Sequence, residues 1–300
     1  MNNQINYFCG SKINLFLDIT GLYKNGYHAL RSIFVETDIC DEIIVTPNEN
    51  NTLEYTIQNI SLPQENLLKK AGDLMIGIAG KVVKGYTFKV IKNIPVGGGM
   101  GGGSSNAAFI MNFLNKSWEL RLSSNQLIKL GNKIGADIPF FIKGGIARVY
   151  GTGNIIKKIN IKNFELPLLI VKPSISINTV EAYRKIDQNS LYRSNYHTEI
   201  SFKKLFSAIN RKNIRSISEN IYNKFESVAF QEHSELLQIK TAIEQSGALK
   251  AFMSGSGSTM VGLYDSNEEL KTGYNNLINT GYDVYITGVI SRNHEKRRNY

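Results

Sequence analysis

Two cysteines, Cys9 and Cys40, are all that 300 residues contain, too few for a disulfide framework and suited to a reducing compartment. No apolar run reaches the roughly 20 residues that a membrane-spanning helix needs. No internal repeat is present. A patterned strand begins by Lys12, so no signal or transit peptide is expected ahead of it. A cytoplasmic, membrane-free protein is the expectation. The formal net charge of +10 invites a nucleic-acid reading, but the lysines, such as Lys69, Lys70, Lys203 and Lys204, lack the interleaved aromatics of a single-strand platform. Part of the excess, a net +3, sits in a tail of Arg292, Lys296, Arg297 and Arg298 against Glu295. A basic surface also suits small polyanionic ligands, and no nucleic-acid partner is expected.

A chain of this length holds one large or two medium domains and buries roughly three quarters of its extended surface. Asn, Ile and Lys are abundant, yet apolar periodicity persists, so the chain reads as folded throughout. The pattern changes near residues 160–165, where Lys157-Lys158-Ile159-Asn160-Ile161-Lys162-Asn163 gives way to the strand-like Leu166-Pro167-Leu168-Leu169-Ile170-Val171. Two units are therefore expected, residues 1–160 and 161–300.

The most informative segment is Ile94-Pro95-Val96-Gly97-Gly98-Gly99-Met100-Gly101-Gly102-Gly103-Ser104-Ser105-Asn106. Six glycines in the seven positions 97–103 bring almost no side chain to a core, but they let a ligand approach bare backbone N–H groups. A helix is predicted from Ser104 to about Lys116, on Ala107, Ala108, Met111 and Leu114. The loop thus opens onto a helix N-terminus, whose free N–H donors and dipole bind phosphate. A dinucleotide fingerprint needs an acidic residue ending a strand about 20 residues on; Glu119 is near that distance, but Lys116-Ser117-Trp118-Glu119-Leu120-Arg121 is not strand-like. No Lys-Ser or Lys-Thr follows the last glycine, so the loop is not a Walker A motif.

Four further segments carry polar groups. In Lys12-Ile13-Asn14-Leu15-Phe16-Leu17-Asp18-Ile19, period-two alternation puts Ile13, Leu15, Leu17 and Ile19 on one face and Lys12, Asn14 and Asp18 on the other. Asn25-Gly26-Tyr27-His28 reads as a turn bearing an aromatic ring and an imidazole. Ser123 or Ser124 caps a predicted helix running to Ile134, with Gly135 as its stop. Asp137 follows in Ala136-Asp137-Ile138-Pro139-Phe140-Phe141, where so apolar a setting asks for a partner or a proton. Locally, its plainest role is the N-cap of a helix with Pro139 in its first turn. Finally, Phe252-Met253-Ser254-Gly255-Ser256-Gly257-Ser258-Thr259 is a second small-residue loop, ahead of the strand-like Met260-Val261-Gly262-Leu263-Tyr264.

In this order, the Lys12 strand, the double triple-glycine loop with Ser104-Ser105-Asn106 and the C-terminal glycine loop resemble the GHMP small-molecule kinases. Gly26-Tyr27-His28 and Gly135-Ala136-Asp137-Ile138-Pro139 narrow the likeness to the branch that phosphorylates a cytidine diphosphate derivative of methylerythritol in non-mevalonate isoprenoid synthesis. Cys9-Gly10-Ser11 departs from that branch, which usually has a Pro-Ala pair there. The resemblance runs from about Lys12 to about Tyr264. It implies a two-lobed α+β fold with ATP and the acceptor alcohol meeting in the cleft between lobes, and Mg²⁺ as cofactor. It further implies catalytic roles for Asp137, as acceptor of the hydroxyl proton, and for Lys12, between Asp137 and the γ-phosphate. ATP would be held by Pro95, by the loop from Gly97 through Met100 to Gly103, and by Ser104 and Ser105, either serine also being a candidate Mg²⁺ contact. Asn66, Leu67 and Lys92 are less distinctive nucleotide contacts. The acceptor would be held by Asn14, Thr179, Ser254 and Gly255, with Tyr27 and Tyr183 stacking the cytosine and His28 reading its edge. The alternatives are a GHMP kinase with a mevalonate- or homoserine-type acceptor, which has no base to stack, and a non-catalytic relative, which would have no use for both Lys12 and Asp137.

Overall fold

The computed structural model describes residues 4–58, 66–188 and 196–290; the basic tail from Arg292 onward lies outside them. The chain opens with two long strands, β1 (Ile5–Leu22) and β2 (His28–Asn48), then β3 (Leu53–Gln58), α1 (Leu67–Ala79) and β4 (Gly85–Ile91). Next come α2 (Gly102–Ser117), α3 (Ser124–Gly131), α4 (Ile138–Lys143), and a hairpin of β5 (Ile146–Gly151) and β6 (Ile155–Lys158). After β7 (Leu168–Lys172) follow α5 (Thr179–Gln188), α6 (Tyr196–Arg211), α7 (Ile214–Asn220), β8 (Tyr222–Asn223), α8 (Glu226–Glu232) and α9 (Ser234–Gln245). The described residues end with β9 (Lys250–Met253), β10 (Met260–Leu263), α10 (Asn267–Leu277) and β11 (Asp283–Thr287). No described helix is long and apolar enough to cross a membrane, and neither Cys9 nor Cys40 is in a disulfide.

The strands form two sheets. One is seven-stranded, ordered β3-β4-β2-β1-β8, with β5 also pairing β2 and carrying β6. The other is four-stranded and antiparallel, ordered β11-β7-β10-β9. The sheets share a core in which Ile13, Leu15 and Phe16 of β1 meet Leu168 and Ile170 of β7 and Val261 of β10. Burial on both faces explains why β1 is apolar at nearly every position from Ile13 to Ile19. Helix α2 covers the first sheet through Ala107, Ala108, Phe109 and Met111, all at most 1% exposed. The two alanines allow close approach, and Phe109 and Met111 supply the apolar area.

The alternation read along β1 fails at one point. The register against β2 slips between Asn14 and Phe16, which pair with Phe34 and Ile33. A bulge of this kind shifts the side-chain parity beyond it. Lys12 and Asn14 stay together, but Asp18 leaves them: it accepts a hydrogen bond from Thr198 Oγ1 at 3.1 Å and lies 3.8 Å from Lys224 Nζ.

Two helix limits also differ from expectation. Helix α2 begins at Gly102 rather than Ser104, because Gly101, at φ 72° and ψ 18°, turns the chain into it. Only a residue without Cβ takes that left-handed conformation at little cost. Helix α3 begins as read, with Ser123 and Gln126 forming a reciprocal capping box, but stops at Gly131 instead of Ile134. There a Cβ would stand 2.6 Å from Ile138 Cγ2. The following residues tighten into three-residue turns, Lys133 N to Leu130 O and Ile134 N to Gly131 O, both at 3.0 Å. Helix α4 thereby packs directly against the end of α3, and this contact fixes where Asp137 sits.

Candidate active site

Lys12 is 3% exposed on β1. Its backbone N–H donates to Met100 O at 2.9 Å, which joins the strand to the glycine loop. Its ammonium donates to Asn14 Oδ1 at 2.7 Å, while Asn14 Nδ2 donates to Ser32 Oγ at 3.2 Å and Ser32 Oγ donates to Phe16 O. That chain fixes which end of the Asn14 amide faces Lys12. Asn14 is 1% exposed and lines neither cavity described below. Its contacts hold the lysine in place.

Asp137 is the N-cap residue of α4, with Pro139 in the first turn, but its side chain caps nothing. The carboxylate turns toward Lys12, with Oδ2 3.7 Å from Nζ, and is 31% exposed. The apolar flanking sequence therefore does not bury this carboxylate. Burial pushes the Lys12 pKa down from the ordinary lysine range, and the Asp137 charge opposes that shift. The pair is a largely desolvated ammonium facing a solvent-accessible carboxylate.

Beside this pair, a cavity of about 530 Å³ is lined by the loop from Pro95 to Ser104 together with Asn66, Leu67, Lys92 and Thr179. Helix α2 has no side-chain cap, so the N–H groups of Gly102, Gly103 and Ser104 are left for a ligand. Ser105 departs from expectation. Its N–H donates to Gly101 O at 2.9 Å, it is 5% exposed, and it does not line the cavity. Starting the helix two residues early uses up its amide; of the two serines, only Ser104 faces the site. Asn66 caps α1 by accepting from Leu68 N at 2.9 Å. Lys92 is already paired with Asp41, a fully buried carboxylate that also accepts from Asn93 N, Ile94 N and Asn106 Nδ2, each at 2.9 Å. Asp41 thus ties the entry of the loop to the first turns of α2. Nothing in the sequence around Cys40-Asp41 signals this.

The second glycine loop closes on the first. A Cβ at Gly99 would lie 2.6 Å from Ser254 O, and one at Gly255 would lie 3.4 Å from Lys12 Nζ. Ser254 and Gly255 are buried, and Gly255 packs against the Lys12 ammonium. Asn223 holds this loop, and the sequence reading missed it. Its Nδ2 donates to Met253 O at 2.6 Å and to Gly255 O at 2.8 Å, its Oδ1 accepts from Phe225 N at 2.9 Å, and its backbone pairs with Leu17 of β1. Asn223→Ala leaves buried carbonyls unpaired and should cost about 1–3 kcal/mol of stability, read from urea unfolding. An unchanged midpoint would show that water takes over these contacts.

A second cavity, of about 900 Å³, is lined by Tyr27, His28, Ala136, Thr179, Tyr183 and neighbouring residues. Thr179 borders both cavities and is bonded to Ser256 Oγ at 2.8 Å. Gly26, at φ 82°, makes the turn that leaves Tyr27 64% exposed. The His28 imidazole lies over Tyr183, with centroids 4.5 Å apart and planes 25° apart, and Tyr183 also meets Phe225 in a T-shaped contact with centroids 4.9 Å apart. The face of Tyr183 expected to take a base is therefore shared with His28. The cause is Asp187, one helical turn after Tyr183 on α5, which holds His28 Nε2 at 2.7 Å. Burial, with the Asp137 charge adding to it, pushes the Tyr183 hydroxyl pKa up.

No cluster of three or more His, Cys, Asp or Glu side chains able to hold a metal ion occurs among the described residues. Mg²⁺ in phosphoryl-transfer sites is held largely by substrate phosphates and one or two oxygen side chains, a donor set that Ser104 and Asp137 fit.

Comparison with known proteins bears on this geometry. Residues 65–145 match the GHMP kinases N terminal domain and residues 205–283 the GHMP kinases C terminal domain. The 4-diphosphocytidyl-2-C-methyl-D-erythritol kinase of Clostridium novyi (strain NT) is 36% identical over 93% of this chain and 98% of its own length. That of Clostridioides difficile (strain 630) is 32% identical over 92% of each. A crystal structure of 4-(cytidine 5'-diphospho)-2C-methyl-D-erythritol kinase superposes with a TM-score of 0.79 at 25% identity, covering 96% of this chain and 100% of that one. A crystal structure of L. major mevalonate kinase in complex with R-mevalonate shares the fold at a TM-score of 0.73 and 14% identity, over 97% of each chain. With its two-lobed α+β architecture and the Lys12–Asp137 pair beside an uncapped glycine-loop helix, this chain belongs to the 4-diphosphocytidyl-2-C-methyl-D-erythritol kinase family of the GHMP kinases.

Proposed function

We propose that the chain transfers the γ-phosphoryl group of ATP to the 2-hydroxyl of 4-diphosphocytidyl-2-C-methyl-D-erythritol. The observation that carries this reading is the Lys12–Asp137 pair, 3.7 Å apart, between the free N–H groups of α2 and the aromatic cavity of Tyr27 and His28. The acceptor hydroxyl loses its proton to Asp137 as its oxygen bonds to the γ-phosphorus. The bond from that phosphorus to the β-bridging oxygen breaks, and ADP departs. Such a transition state spreads charge over the phosphoryl oxygens and calls for alignment and positive charge more than covalent help. The Lys12 ammonium supplies positive charge, and the amides of Gly102, Gly103 and Ser104 supply oriented donors. Asn14 and Asp41 act indirectly, the first by aiming Lys12 and the second by holding the loop entry. Mg²⁺ bound to the ATP phosphates would neutralise part of their charge, and the Ser104 hydroxyl is the protein oxygen we assign to hold it. We assign ATP binding mainly to residues 1–160 and closure of the site to residues 161–300, and we assign the enzyme to the cytoplasm, where ATP is made and free thiols persist. Nucleic acid has no role in this reading.

Turnover of ATP against a panel of acceptors tests it. The cytidine diphosphate compound should exceed mevalonate, homoserine and free methylerythritol by about 100-fold or more in kcat/KM, because base–aromatic stacking alone contributes about 1–3 kcal/mol. Equal turnover of free methylerythritol would remove the base pocket from the reading, and faster turnover of mevalonate or homoserine would replace the acceptor.

A further inference from the structure

His28 is 10% exposed in its side chain and is gripped in two directions, by the Tyr183 ring below it and by Asp187 in its own plane. A carboxylate only accepts hydrogen bonds. At 2.7 Å from Asp187 Oδ1, Nε2 must therefore carry a proton, so that in the neutral form of the imidazole Nδ1 is the nitrogen left as an acceptor. Among the described residues Nδ1 has no hydrogen-bond partner, and His28 lines the 900 Å³ cavity.

We propose that Asp187 determines base specificity by locking the tautomer and orientation of His28, so that the cavity accepts a pyrimidine with an exocyclic amino donor and rejects one with a carbonyl there. This rests on the base-pocket reading given above and adds a residue and a mechanism to it. The amino group of cytosine donates to Nδ1. The matching oxygen of uracil sets one lone pair against another and leaves both unpaired, the arrangement that discriminates most strongly between isosteric ligands. A base meeting Nδ1 in the imidazole plane keeps the 25° inclination of His28 to the Tyr183 ring. The exposed Tyr27 ring is then free to cover its other face. Asp187 is itself 40% exposed in its side chain, so replacing it does not excavate the core.

Wild-type enzyme, Asp187→Leu and Asp187→Asn are compared for kcat/KM with the cytidine and uridine diphosphate forms of methylerythritol, and for the KM of ATP. The wild type should prefer cytosine by about 100-fold or more. Asp187→Leu, which cannot accept a hydrogen bond, should bring that preference within about tenfold and leave the KM of ATP unchanged. Asp187→Asn, whose carbonyl oxygen still accepts from Nε2–H, should keep most of it. Independently, ¹⁵N spectra of the histidine-labelled wild type should show His28 protonated at Nε2. A cytosine preference that survives in Asp187→Leu, or a His28 proton on Nδ1, overturns the role of Asp187 while the base pocket stands. A wild type indifferent to the base overturns the pocket and the role together.

Discussion

Asp137→Asn and Lys12→Ala should each lower kcat by about 10²–10⁴-fold, the range lost when a positioned proton acceptor or an oriented charge is removed from a transition state. Asp137→Asn should leave the melting temperature nearly unchanged, because the carboxylate caps no helix and is 31% exposed. Lys12→Ala should also lower stability, since it strands the Asn14 amide in a site sealed from solvent. The double variant should be little slower than either single one, as for residues acting as a unit. Burial holds the Lys12 pKa below the usual lysine range, and the mechanism uses the ammonium. Activity should therefore fall as pH rises through that lowered value, at a lower pH than an exposed lysine would give. Lys12→Arg, charged at every accessible pH, should lose this alkaline limb from the kcat profile even where its overall rate is reduced. Full activity in Asp137→Asn would return that residue to a purely structural role.

Gly101→Val should raise the KM of ATP by about 100-fold. Gly101 sits at φ 72°, and a Cβ there would lie 2.9 Å from Phe141 Cε2 and 3.2 Å from Lys12 Cγ. Left-handed backbone in a β-branched residue costs about 1–3 kcal/mol, and forcing carbon into a packed site costs a similar amount. The damage falls on the residue that turns the loop into α2 and on the wall against Lys12. Calorimetric titration separates the ligands: ATP affinity should collapse while acceptor affinity measured without ATP changes little. The reverse pattern would assign the loop to the acceptor.

The features legible in the sequence were those written in local pattern. The glycine loop, the helix after it, the Ser123 cap and the Lys12 strand each follow from residues within a few positions of one another. Asp18 was misjudged because a bulge at Leu15 changes parity, and only the pairing partner reveals a bulge. Ser105 was misjudged because Gly102 and Gly103, poor helix formers, are drawn into the first turn by the loop geometry, and this consumes its amide. Asp41, Asn223 and Asp187 could not be read at all. Met253 lies 30 positions from Asn223, Asn106 lies 65 from Asp41 and His28 lies 159 from Asp187, and an isolated Asp or Asn looks the same in sequence whether it orders a loop or faces water. The stacking of His28 on Tyr183 was missed for the same reason.

Asp137 occupies the N-cap position of α4, where an acidic side chain ordinarily stabilises a helix, yet its side chain makes no capping hydrogen bond. An N-cap left unused forgoes about 0.5–2 kcal/mol, and Pro139 in the first turn leaves α4 otherwise well prepared to start there. Stability and turnover therefore compete for a single side chain. The helical backbone of Asp137, at φ -89° and ψ -15°, keeps its side chain off the helix amides; a serine accompanied by a shift to the extended cap geometry would gain that hydrogen bond, and it would leave the acceptor hydroxyl with nothing to take its proton. Thermostability selection applied without an activity screen would drift toward that exchange, and an inert but hardier protein would be recovered from it.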